Sequence, residues 1–390
     1  MEEKKSRIDY GIVLSLLVLF LISVATIFST TYLINDLGIS ATVMQVVWYA
    51  VGTVAIIVIM QFDSEQLWKL TPILYWGGII LLVLVLFFYD RDTALRTGAR
   101  SWFAIGPLSF QPSELVKITF ILYLSRIVTK HNSEFPEHNY KSDWQLLFKI
   151  AFYSAIPLIL ILLQNDFGTM LVYLAIMIGI ILVSGIRWQI LVPIFSVGIL
   201  IAGILIFLVV YDRTLLYEIG FQDYQFARID SWIDPMHDTS NASYQLSQAL
   251  KAIGSGQVFG KGFGASEVYV PVRESDMIFT TIGENFGFIG STFLIFVYFI
   301  LIYQMITVVF DTRNEFYTYI ATGVIMMILF HVFENIGMNI GLLPLTGIPL
   351  PFISQGGSSL LANMIGIGLI LSMRYNYKDY LFSQATEVSY

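Results

Sequence analysis

The chain contains no cysteine, so disulfides, thiolate metal sites and thiol nucleophiles are excluded. Charge is also scarce. Asp, Glu, Lys and Arg make up 13% of the 390 residues, against about 25% in a typical soluble domain. So little charge cannot coat a soluble particle of this size, which excludes a cytosolic enzyme. The 21 Lys and Arg are too few and too scattered for a nucleic-acid footprint, so no nucleic-acid partner is expected. Histidine occurs at four positions far apart in sequence, His131, His138, His237 and His331, which gives no histidine metal site. What the chain has in abundance is apolar length: 56% of its residues are hydrophobic and 15% aromatic. The natural solvent for that surface is a bilayer. The formal charge of −7 says little there, because membrane proteins sort charge by side.

A bilayer-crossing helix takes roughly 20 mainly apolar residues. Ten such runs are predicted, at about 10–32, 41–61, 69–89, 113–128, 145–163, 167–185, 188–211, 278–309, 316–341 and 356–373. The expected fold class is an all-α polytopic membrane protein, one integral domain over 1–390 with ten transmembrane helices. The first run follows Lys4, Lys5 and Arg7 and has no clear small-residue cleavage site, so it reads as an uncleaved span. With the amino terminus inside, twelve Lys and Arg fall on the cytoplasmic side, among them Lys69, Arg126, Lys130, Lys149, Arg187, Arg313, Arg374 and Lys378. Three, Arg91, Arg96 and Arg100, share one outer loop. That bias puts both termini in the cytoplasm. The three outer arginines serve no topogenic need and are candidates for binding an anion.

Residues 212–277, an outer segment between the seventh and eighth runs, are too many for a connector. Leu246, Ala249, Leu250 and Ile253 recur at i, i+3, i+4 and i+7, and Gly254 follows as a stop, so the loop is predicted to be an ordered cap with an amphipathic helix.

Four places break the apolar pattern. In 98–117, GARSWFAIGPLSFQPSELVK, the run from Trp102 to Leu108 is too short to span and reads as interfacial; Glu114 and Lys117 stand i, i+3 at the head of the fourth span. Lys117 is either a functional group at depth or a snorkelling cation neutralised by its neighbour. In QNDFGT, 164–169, Asp166 caps the next helix or does more. In 270–290, Asp276 stands where the outer loop enters the eighth span, three residues after Arg273. Half shielded from water, its carboxyl would be shifted towards a general base's useful range unless Arg273 or another cation offset it; the alternative is a plain helix cap. Glu284, further in, must pair or be protonated, and Gly283 and Gly287 permit close approach. Finally His331, Asn335 and Asn339, at i, i+4, i+8, form a polar stripe with Glu334 beside it. It leads into the proline-broken 342–360, where Ser354, Gln355 and the amides of Gly356 and Gly357 open the tenth helix towards an anion. A carboxylate, several cations and a helix start, all near the outer face, suit an anionic lipid-linked substrate.

In order and spacing these four motifs resemble those of the SEDS family (shape, elongation, division and sporulation) over essentially the whole chain, the RodA branch more than FtsW. The resemblance implies a peptidoglycan glycosyltransferase that polymerises lipid II into β-1,4-linked glycan, with undecaprenyl diphosphate as leaving group. It implies a role in cell elongation and shape at the outer face of the bacterial cytoplasmic membrane. Asp276 matches the family's essential aspartate, Trp102 with Arg100 its outer-loop site, and Glu114 and Lys117 its polar pair. The implied partners are lipid II with its undecaprenyl-linked strand and a class B penicillin-binding protein, a transpeptidase. A divalent cation, Mg or Mn, is an alternative to Arg100, Arg273 and Lys117 as counter-charge for the departing diphosphate. Asn165, Met277, Asn285 and Gln355 depart from the family pattern, and Asn285 argues against a pair of adjacent acids. The rival reading is a lipid II flippase, for which Lys117, Glu284, His331 and Glu334 would be carrier groups.

Overall fold

A computed structural model of the protein describes residues 8–32, 38–106, 108–219, 223–236, 241–312 and 314–376. The expectations placed on Lys4, Lys5, Arg7, Pro107, His237, Arg313 and Lys378 therefore lie outside the described residues, as does the side chain of Arg96.

Each of the ten predicted runs falls on a helix: α1 (Tyr10–Tyr32), α2 (Gly38–Ile59), α3 (Ser64–Phe88), α5 (Pro112–Glu134), α6 (Tyr140–Leu163), α7 (Phe167–Val183), α8 (Trp188–Tyr211), α12 (Ile278–Thr312), α13 (Glu315–Asn339) and α14 (Gly357–Tyr375). Eight of these are long and apolar enough to cross a membrane. Of the other two, α7 has 17 residues and α5 carries Glu114, Lys117 and Arg126, so length and composition alone do not establish ten crossings. α14 and α13 are the most enclosed of the eight and α8 the least. α14 packs on α2, α13 on α7 and α5, α3 on α5, and α1 on α12. Side chains such as Phe87, Ile199 and Phe310 point outwards, as a bilayer-facing surface requires.

The segment predicted to be outer, 212–277, is built around three helices, α9 (Thr214–Ile219), α10 (Asp223–Ile233) and α11 (Asn241–Ser255), and a short helix α4 (Arg91–Thr97) lies between α3 and α5. α11 is the amphipathic helix read from the sequence. Leu246 and Ala249 are fully buried on its apolar face, against Val270, Met277, Met338 and Leu345. One departure from the expected all-helical reading is a hairpin, β1 (Phe103–Ile105) with β2 (Leu108–Phe110), antiparallel with Phe103 opposite Phe110. Gly106, with φ 63°, makes the turn in the run read as interfacial.

α12 is two helices in line, broken at Gly287, whose φ of 60° and ψ of −155° suit only glycine. The close helix contact expected at Gly283 is made with Ile253 of α11, whereas Gly287 is approached by the backbone of the loop after α11, at Gly256, Val258 and Gly260. The amides of Lys261 and Gly262 donate to the carbonyls of Glu284 (2.9 Å) and Asn285 (3.0 Å), while those of Phe288 and Ile289 donate to Gln257 (2.9 Å) and Val258 (3.2 Å). Those bonds replace the helical ones lost at the break. A side chain at Gly260, at φ 80°, would place its Cβ 2.2 Å from the Asn285 carbonyl oxygen. Gly260→Ala therefore has to move the loop off the break, at a cost of at least about 1–2 kcal/mol from the left-handed conformation alone. Gly254→Ala, where nothing lies within 4 Å and the backbone is helical, should be neutral or stabilising. Thermal unfolding in detergent measures both; equal midpoints for the two variants would contradict the stitched break.

Candidate active site

The segment between α13 and α14, 340–356, is non-helical, as its prolines predict, yet lies inside the bundle. Backbone at that depth must find protein partners for its polar groups. Ser23 of α1 donates to the Ile353 carbonyl (2.9 Å), Gln45 of α2 to that of Ser354 (3.3 Å), Tyr49 to Phe352 and Tyr298 to Pro351. The same segment is tied to the approach to α12. The Ser354 hydroxyl donates to the Ser275 carbonyl (2.6 Å), and the Gln355 amide donates to that of Glu274 (3.0 Å). The asparagines of the polar stripe complete the junction. The Asn335 amide donates to the carbonyls of Asp276 (2.7 Å) and Ile348 (2.8 Å), and that of Asn339 also reaches Asp276 (3.1 Å).

This junction forms one wall of a cavity of ≈ 440 Å³ at the end of the bundle that carries α9–α11. Trp102, Gln111, Glu114, Asp166, Arg228, Asp276, His331, Gln355 and Gly356 line it, brought from the hairpin approach, the starts of α5, α7 and α14, and from α10 and α13. Asp276 is half-buried in the wall, with Ser275 Oγ 3.3 Å from its Oδ1. Burial pushes its carboxyl up to about 6; the Ser275 hydroxyl and the Arg228 charge oppose the rise and Glu274 adds to it. Asp166 is at once a helix cap and a cavity residue. Its Oδ1 accepts from the Thr169 amide (3.1 Å) and its Oδ2 from Gln111 Nε2 (2.7 Å), and burial raises its pKa against the pull of Thr169. Asn165, before it, has φ 59°, which the proline common at this point of the family pattern could not adopt.

At the floor, Lys117 Nζ donates to Glu114 Oε1 (2.9 Å) and to His331 Nε2 (3.1 Å), while His331 Nδ1 lies 2.6 Å from the Met327 carbonyl. A carbonyl only accepts and an ammonium only donates, so His331 is neutral and carries its proton on Nδ1. With its side chain 1% exposed, Lys117 snorkels to no surface.

The remaining expected site residues are distributed differently. Arg273 is 2% exposed and turned away from Asp276, in an ion pair with Glu284, and it donates to Thr281 and Ser266 (2.8 Å each). The buried carboxylate that had to pair has taken the cation expected beside the base. The cation the cavity does hold is Arg228, in the second turn of α10, whose Nη1 donates to the Thr346 carbonyl (3.3 Å). Arg100 is exposed over the Tyr89 ring (5.5 Å), between the lining residues Ala99 and Ser101. Ser354 is consumed in the junction, and Gly357 gives room to the Trp48 ring. Sequence reasoning missed Gln111, Arg228 and Gln245 as cavity residues. Gln111 had a signal, as the residue before a helix-starting proline; a lone basic residue in a long loop had none.

Residues 8–379 match the FtsW/RodA/SpoVE cell cycle protein family. The chain is 30% identical over 378 residues to the peptidoglycan glycosyltransferase MrdB of Escherichia coli K12, covering 96% of this chain and 95% of that one. It is 28% identical over 393 residues to the stage V sporulation protein E of Bacillus subtilis, 96% and 100% covered. Among solved structures it resembles the Thermus thermophilus rod shape determining protein RodA, with TM-score 0.67 at 25% identity, covering 95% and 97% of the chains. A chain of a peptidoglycan synthase complex that coordinates polymerization and crosslinking superposes with TM-score 0.77 at 24% identity over 95% and 99%.

A carboxyl whose pKa is higher in the fold than in the unfolded chain weakens folding as pH rises from about 4 through 6. Asp276→Asn should therefore match the wild type's stability at pH 4 and exceed it at pH 7.5, by no more than about 2 kcal/mol given solvent screening of a half-buried group. A wild type that gains stability relative to the variant over that range would contradict the raised pKa.

Proposed function

The chain belongs to the FtsW/RodA/SpoVE family, and on that premise we propose that it is a multi-pass membrane peptidoglycan glycosyltransferase of cell elongation, polymerising lipid II in the Asp276 cavity. The observation that carries the reading is the meeting, in one polar cavity, of the half-buried Asp276 carboxyl with the Arg228 guanidinium and the start of α14. A sugar hydroxyl is a poor nucleophile at neutral pH. Asp276 accepts the proton of the attacking glucosamine 4-hydroxyl as its oxygen bonds to the anomeric carbon of the strand's muramic sugar. The bond from that carbon to the diphosphate breaks, and the centre inverts to a β-1,4 link. Undecaprenyl diphosphate leaves as a stable anion, so no second acid is needed, in contrast to most hydrolytic glycosidases.

The departing charge is met by Arg228 and the first amides of α14 at Gly356, with Lys117 held behind Glu114 at the floor. Arg273 is committed to Glu284 and contributes none of this. Among the described residues no three His, Asp or Glu side chains converge as a metal centre requires, so a divalent cation would rest mainly on the substrate's own diphosphate. The outer segment faces the cell exterior and both termini the cytoplasm, in line with the distribution of Lys and Arg. A class B penicillin-binding protein is the partner that cross-links the product.

With purified protein and lipid II, Asp276→Ala should form no glycan strands while keeping its gel-filtration profile; full polymerisation would dispose of the base. Lys117→Ala should lose at least about tenfold, as a buried Glu114 left unpaired costs several kcal/mol; lipid movement across vesicles without strands would instead favour the flippase. The absence of native cysteine makes topology directly readable. A membrane-impermeant maleimide should label Glu218→Cys on intact cells and Glu137→Cys only after permeabilisation; the reverse pattern would invert the orientation.

A further inference from the structure

At the opposite end of the bundle from the Asp276 cavity, a second polar cleft of ≈ 280 Å³ opens between α3, α5 and α6. Arg126, Lys130 and Lys149 line it, with Glu134 as its one carboxylate. Lys130 lies 3.8 Å from Glu134. Arg126 and Lys149 are half-buried and reach no carboxylate among the described residues. Arg126 Nη1 donates to the Trp68 carbonyl (2.8 Å) and the guanidinium stacks over the Trp68 ring (5.0 Å). Lys149 Nζ lies 3.3 Å from His131 Nδ1, and His131 Nε2 lies 2.9 Å from Ser142 Oγ, so neutral His131 accepts from the lysine. Both cations are thus oriented by neutral partners, and the cleft sets three basic groups against one carboxylate. The hydroxyl-bearing rings of Tyr123 and Tyr153 form the inner wall.

We propose that this cleft is a binding site for a phosphate group, supplied by the headgroup of an anionic phospholipid. The charge calls for an anion, and the setting points to a lipid as its source. Phe148 and Phe152 on α6 and Ile73 on α3, each next in the chain to a lining residue, are exposed and apolar, 72%, 55% and 71% respectively. They offer a path for acyl chains running down from a phosphate between Arg126 and Lys149. On the orientation proposed above, the site faces the cytoplasmic leaflet, where anionic lipids supply that phosphate. It is separate from the glycan-forming cavity, and neither Arg126 nor Lys149 belongs to that machinery.

Native mass spectrometry of the purified full chain in detergent, titrated with phosphatidylglycerol or phosphatidylcholine, tests the site. Wild type should bind phosphatidylglycerol in preference. Arg126→Gln and Lys149→Gln should each weaken that binding about fivefold, which corresponds to about 1 kcal/mol for each basic group lost near a lipid phosphate. Lys149→Arg should retain it, and Lys69→Gln, a cation exposed outside the cleft, should change it less than twofold. Inorganic phosphate that competes phosphatidylglycerol off the wild type at equal concentration would make a free phosphate the ligand and overturn the lipid source. Equal binding of the two lipids, or unchanged affinity in a monodisperse Lys149→Gln, would overturn the site itself. Because binding is read in detergent, it does not depend on which side of the membrane the cleft faces. The cysteine labelling decides that separately.

Discussion

The main-chain carbonyl of Asp276 takes amide hydrogen bonds from Asn335 and Asn339, and the rest of the site depends on that junction. Irregular backbone enclosed in a bundle survives only when its polar groups are bonded, since an unbonded buried one costs about 1–3 kcal/mol. Two irregular segments, the approach to α12 and the stretch before α14, satisfy each other and the helices around them. The base is therefore aimed by its backbone. Its carboxyl, with a long contact to Ser275 (3.3 Å) and the Arg228 charge nearby, faces the cavity and is left to take up a proton.

The same economy governs the charges. Glu284, deep in α12, takes Arg273 and the amides of Glu267 and Val268 (2.9 and 3.3 Å), so the outer segment is pinned to the broken helix by an ion pair as well as by backbone. Lys117 is satisfied between Glu114 and His331. With these groups neutralised in pairs, the cavity retains Asp276 and Asp166, both shifted towards the protonated form by burial, and Arg228 as the cation in reach of a phosphate.

Much of this is visible in the sequence, because a bilayer imposes long apolar runs and makes each interruption conspicuous. The ten helices, the amphipathic α11, the irregular stretch read at 342–360, which in the structure gives way to α14 at Gly357, and the convergence of Trp102, Glu114, Asp276, Gln355 and Gly356 were legible on that ground. What was not legible is pairing across distance. Proximity in sequence favoured Arg273 for Asp276, three residues away, but Glu284 is more deeply buried and competes better for the guanidinium. Arg228 reaches the cavity through the tertiary placement of α10, which no periodicity encodes. Nor does composition distinguish a hairpin turning at Gly106 from an interfacial run. The break at Gly287 needed the partner loop, with its own glycines at 256 and 260, to be intelligible.

The central claim is that Asp276 acts as a base from its unprotonated form with a pKa near 6. The pH dependence of kcat/KM for lipid II polymerisation by the purified protein tests it most directly. The account predicts a plateau above about pH 7 and a tenfold fall per pH unit below about 6, with the break reporting the free enzyme. A profile that stays flat down to pH 4.5, or that rises as the medium is acidified, would contradict it.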